Sequence, residues 1–209
     1  MQRYWICLVV NVLLYVLGRP SFCDASDDDF SRRLRIGGAF SYLVFLQSGA
    51  KAPLLSAHVQ YPVYKTRWTV DLVAGISRSR LKLYENTEEN KSTLLPIKLG
   101  TTCYLSARKG RKTRKYVTVG FDIFNIIYPS IFRMSPFSPI NSFEGSRIGW
   151  LMGPYGAIGI EMPLNTHLSW SIKLLELSYH RAFNKPMRAV DGLVIGFGIG
   201  VNFYADIIH

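Results

Sequence analysis

Six ionisable residues sit at positions whose spacing gives them a shared direction. Asp71, Lys98, Asp122, Glu161 and Lys173, together with Glu176, fall at alternate positions within apolar segments, with small or polar residues on the same parity. Residues two apart on a strand share a face, so this pattern describes charges turned into an interior. A charge removed from water there must be paired, because an isolated one is very costly. The chemistry expected of the set is a salt-bridge network filling an interior, with a hydrated ion path as the alternative. A second constellation is His167-Leu168-Ser169, whose His and Ser also share a strand face, as a base and a nucleophile would. A third is the basic run Arg108, Lys109, Arg111, Lys112, Arg114 and Lys115, which suits an anionic surface. The sequence holds no nucleotide loop, Cys-x-x-Cys pair or His-Glu-x-x-His site, so neither cofactor nor metal is expected.

The elements that would position these residues have period two. From Leu193 to Phe203 one face carries Leu193, Ile195, Phe197, Ile199, Val201 and Phe203, and the other carries Gly196, Gly198 and Gly200. Glycine weakens a strand unless the space is needed. A narrow barrel needs small residues inside and bulk toward lipid. The alternation repeats over 35–44, 54–63, 68–77, 95–106, 115–124, 149–162 and 167–173, making eight strands. Leu174-Leu175 breaks the pattern as a bulge would, and Pro154 requires a bulge or an interrupted ladder. On these faces Phe121→Arg and Ile199→Arg are expected to harm folding more than Gly120→Ser and Gly198→Ser.

The 209 residues carry a net charge of +11, with 48% hydrophobic and 19% charged residues, which excludes a disordered chain. No apolar run is long enough for a membrane helix. The N-terminal pattern of Arg3, an apolar stretch from Trp5 to Leu17, then Gly18-Arg19-Pro20 and small residues to Ala25, reads as an export signal. The division is therefore a signal peptide at 1–25, a spacer at 26–33 and a barrel at 34–209. Removal of the signal takes Cys7 and Cys23 with it and leaves Cys103 without an intramolecular disulfide partner.

The long connections, 47–53, 85–93, 128–146 and 182–189, lie at one end. The turns 62–66, 107–114 and 163–166 lie at the other, which is the asymmetry of outer-membrane barrels. Within 128–146, Tyr128, Ile131, Phe132, Met134, Phe137 and Phe143 form an apolar contact surface for a partner. Trp68, Trp150, Trp170, Tyr116 and Tyr128 fall near strand ends, as an interfacial girdle requires.

The stretch from Gly156 to Asn165, the alternating strand after it, and the terminal Gly196 to Tyr204 resemble the outer-membrane protein β-barrel domain family of Gram-negative bacteria. The similarity spans roughly residues 31–209. It implies an all-β, eight-stranded antiparallel up-and-down transmembrane barrel in the outer membrane, and no single activity. The partners it implies are outer-membrane lipid and lipopolysaccharide, with another envelope protein as a further one. Nucleic acid is not expected, and the chain reads as a monomer. His167 and Ser169 are similar in spacing to the pair of outer-membrane lipid A deacylases, with Glu176 as an orienter. Their expected place in the lumen beside a periplasmic turn denies them an acyl chain from the outer leaflet. The function expected is a structural, adhesive or partner-binding barrel. A lipid-modifying hydrolase, a narrow pore and a soluble secreted ligand-binding barrel stand as alternatives.

Overall fold

A computed structural model describes residues 33–63, 67–81, 90–105, 113–132, 143–182 and 191–205. The segment read as an export signal and most of the spacer lie outside them. Eight strands run in chain order: β1 (Leu34–Phe45), β2 (Lys51–Pro62), β3 (Trp68–Leu81), β4 (Asn90–Leu105), β5 (Arg114–Phe132), β6 (Phe143–Pro163), β7 (Leu168–Ala182) and β8 (Gly192–Ala205). Each pairs antiparallel with the next, and β8 returns to β1, so the sheet closes and leaves no unpaired edge along the barrel wall.

The alternation decides which way each side chain faces. Ile36, Phe40, Leu55, Leu72, Leu99, Phe121, Ile158 and Ile199 point outward and are exposed, where a soluble protein would place polar groups. Along β3 the outward residues are apolar from Trp68 to Ile76 and become Arg78 and Arg80 above. That stretch rises about 26 Å along the strand, or about 20 Å across a bilayer at the usual tilt, which matches an outer-membrane hydrocarbon band. Outward bulk is solvated by lipid, and the inward parity supplies the core.

Glycine makes that interior possible. A Cβ at Gly120 would lie 2.3 Å from the Leu99 carbonyl oxygen and 2.7 Å from the Tyr155 ring. One at Gly198 would lie 2.4 Å from Ser41 Oγ and 2.6 Å from the Phe40 carbonyl oxygen. Backbone blocks both positions, so serine at Gly120 or Gly198 meets a collision that the parity of the strands does not reveal.

Two irregularities stand where the sequence places them. The register shifts at Leu174-Leu175, between Lys173 and Glu176 against β8 and between Ile158 and Gly159 against β6. The β6–β7 ladder pairs Met152 with Arg181 and resumes at Tyr155 with Ser178, leaving Pro154, which has no N–H, in the interruption. The strands themselves are longer than the periodicity indicates. β5 and β6 stay paired out to Phe132 and Phe143, beyond the last pairing with β4 at Ile127 and with β7 at Leu151. This hairpin stands past its neighbours as a two-stranded ribbon. Pro129 is tolerated there because a ribbon edge demands no ladder bond from it.

Candidate functional site

The inward residues divide the lumen into two halves along the barrel axis. At the end of the connections 46–50, 82–89, 133–142 and 183–191, the interior is a cluster of Leu43, Phe45, Ala52, Leu54, Leu94, Phe124, Ile126, Leu151 and Val194. Its members are almost completely excluded from solvent, and the Phe45 and Phe124 rings meet edge to face at 6.4 Å. This plug closes that end.

Below the plug lies the polar half, where strand parity brings Asp71, Lys98, Asp122, Glu161 and Lys173 inward, with Glu176 joining them past the bulge. Lys98 on β4 reaches Asp122 Oδ2 at 3.0 Å and pairs with Glu176 across the barrel. Lys173 Nζ donates to Glu176 Oε2 at 2.5 Å. His180 Nε2 lies 3.4 Å from Asp122 Oδ2, with its ring edge-on to Phe124 at 4.6 Å. At Asp122 the contacts are ionic only, since neither oxygen has a partner at a hydrogen-bonding angle. Asp71 accepts from Thr69 Oγ1 at 2.6 Å and from Thr102 Oγ1, and Thr102 reaches Thr118 at 2.6 Å.

Nearer the chain termini, Glu161 is the acceptor of a second group. Ser169 Oγ donates to it at 2.6 Å, Asn202 Nδ2 at 3.1 Å, and Tyr204 donates through its hydroxyl. Arg35 sits 3.9 Å from Glu161, its guanidinium 4.0 Å from the centre of the Tyr104 ring. His58 Nε2 donates to Asn202 Oδ1 at 2.8 Å, the amide being oriented by its bond to Glu161. Between the groups lies a cavity of about 90 Å³, walled in part by His58, Gln60, Lys98, Lys173 and Glu176. Its size suits water rather than an organic ligand.

Several readings change. His167 is exposed in the turn before β7 rather than turned into the lumen, and its backbone N–H donates to Asn165. Ser169 is wholly buried and committed to Glu161, so the two do not form a nucleophile–base pair. Glu176 belongs to the lysine cluster and orients neither. His180 is fully buried against Asp122. Tyr116 is turned inward, its ring 6.0 Å from Tyr104, and does not belong to an interfacial girdle. Trp150 and Trp170 do point outward and exposed. Arg114 is a buried strand residue and Lys115 an exposed one, because the β5 ladder begins before the expected end of the basic turn. Arg108, Lys109, Arg111 and Lys112 lie outside the described residues, as do Met134 and Phe137. Tyr128, Ile131, Phe132 and Phe143 belong to the projecting ribbon and not to a loop. Arg35, Tyr104 and Tyr204 were missed as network members. The signal was present, since Arg35 shares parity with Gly37 and Tyr204 with Asn202.

No known family profile and no curated protein matches this chain. Solved structures do. Neisserial surface protein A aligns at a TM-score of 0.59 with 7% identity, over 83% of this chain and 96% of that one. A major outer membrane protein of Thermus thermophilus aligns at 0.58 with 10% identity, over 83% and 98%. The outer membrane protein OprG of Pseudomonas aeruginosa aligns at 0.52 with 18% identity, over 83% and 96%. The fold is that of the small outer-membrane β-barrels of Gram-negative bacteria.

Proposed function

We propose that this chain is an integral outer-membrane barrel with a structural or adhesive role, working through the β5–β6 ribbon and the neighbouring connections rather than through its lumen. In this reading residues 1–25 are an export signal removed on the way to the outer membrane, and the mature protein is a monomer. One observation carries it. The lumen carries an apolar plug at one end and an ionic network around a cavity of about 90 Å³ below it, while a two-stranded ribbon stands clear of the wall. A plugged interior favours neither a pore nor a lumenal ligand. Surface that does not face lipid is concentrated at the ends, and the ribbon sequence includes the apolar residues Ile131, Phe132 and Phe143, a composition that suits a partner contact. Another envelope protein or a host surface would dock there, with outer-membrane lipid around the wall.

The hydrolase reading loses its catalytic pair, because His167 is exposed while Ser169 is buried against Glu161. Fractionation and detergent extraction test location. Recovery of a soluble periplasmic form would sink the reading. Replacing 133–142 with a short Gly-Ser linker should leave heat-modifiable gel mobility intact and abolish adhesion or partner capture. Release of fatty acid from lipopolysaccharide that vanishes in Ser169→Ala would restore the enzyme.

A further inference from the structure

On the barrel exterior, charge is segregated. Among the strand residues whose side chains are described, the acids Asp71, Asp122, Glu161 and Glu176 are buried in the lumen. At the end of the long connections, the exposed outward charges among those residues are Lys51 on β2, Arg78 and Arg80 on β3, and Arg181 on β7, all cationic. Lys51, Arg78 and Arg80 flank an open stretch of the wall. The β2–β3 ladder ends at Leu55 with Ile76, although β2 continues to Lys51 and β3 to Leu81. Pro53, which brings no N–H, lies on this stretch. Across the opened seam the contact is Ser79 Oγ donating to the Lys51 carbonyl oxygen.

We infer that this seam is a binding site for a lipid bearing a phosphomonoester, with the phosphate held by Lys51, Arg78 and Arg80. Three cations suit a group carrying nearly two negative charges and several acceptor oxygens, and an arginine side chain meets phosphate through paired hydrogen bonds. Strand segments without a ladder partner across the seam add backbone donors to the side-chain charges. A lipid, rather than free phosphate, is indicated by what lies immediately below. Leu55, Leu72, Ile76 and Ile97 are exposed on the same wall, where acyl chains would lie. A phosphodiester lipid offers a single charge to three cations and matches them less well. In the outer leaflet the fitting molecule is a phosphorylated glycolipid of the lipid A class. That assignment of leaflet rests on the outer-membrane reading above, whereas the binding chemistry does not.

The test uses the folded full-length protein in a neutral detergent, followed by native mass spectrometry during titration. The probes are bis-phosphorylated lipid A, its dephosphorylated form, phosphatidylglycerol and inorganic phosphate. The expected result is preferential retention of the bis-phosphorylated lipid, weakened about tenfold in Arg78→Ala and again in Arg80→Ala. Arg181→Ala, at a similar height on the far wall, should bind as the parent does. Heat-modifiable mobility confirms that each variant is folded. Unchanged affinity in both β3 variants overturns the inference. So does equal binding of the dephosphorylated lipid or of phosphatidylglycerol, and inorganic phosphate binding as tightly as the lipid overturns it too. If fractionation finds the protein outside the outer membrane while the titration succeeds, the proposed location falls and the phosphate site stands.

Discussion

The two halves of the lumen are built on one rule and held together by different forces. Both consist of the inward parity of the same eight strands. Toward the long connections that parity carries Leu43, Leu54, Leu94, Phe124 and Ile126, and toward the termini it carries Arg35, Asp71, Thr102, Glu161 and Asn202. Packing in the plug is non-directional, so similar shapes substitute at modest cost. The polar half depends on pairs whose members are each unfavourable alone. Its contribution is register as much as stability. A slip of one residue in any strand would turn its lumenal charge into lipid and its outward aliphatics into the network.

Substitutions in the two halves should separate these roles, with stability read from urea unfolding in lipid vesicles. The largest loss is expected from Lys98→Ala, which takes the lysine from Asp122 and leaves Glu176 with Lys173 alone, at about 3–5 kcal/mol. Lys98→Ala with Glu176→Gln should recover part of it. A loss smaller than that of a plug truncation would invert the comparison. Leu54→Ala, in the plug, should cost about 3 kcal/mol through the cavity it leaves. Next come the wall positions. Gly120→Ser and Phe121→Arg should each lose about 2–3 kcal/mol, the first by collision with the Leu99 backbone and the second by charge in lipid. A harmless Gly120→Ser would show that the sheet can yield there. Ile126→Val sharpens the lower limit, at about 1 kcal/mol.

Strand number, face and closure were legible because a period of two survives any register and needs no knowledge of neighbours. The five lumenal charges followed from that parity alone. So did the bulge at Leu174-Leu175, where two bulky residues cannot both face lipid on a regular strand. What parity cannot supply is height along the barrel axis. It is height that carries His180 into the interior, where its strand extends past the last residue of the readable alternation. Height also leaves His167 in a turn, one residue before β7 begins. The β5–β6 ribbon was misread for a related reason. Pro129 signals a loop in a central strand but is tolerable on a ribbon edge, and which strands have run out of neighbours is a property of the whole barrel. The tight approach at Gly120 was likewise hidden, since it depends on how near the Leu99 carbonyl passes.

The apolar plug bears on the cell as well as on the fold. An envelope excludes harmful solutes only as well as its leakiest component, so a channel-forming protein must be limited in number or kept shut. In the proposed outer-membrane role, a barrel plugged with leucine, isoleucine and phenylalanine at the end of its long connections, with ion pairs beneath, would add no conductance when its abundance rises. In that role such a protein could be produced in large amounts without weakening the permeability barrier around it.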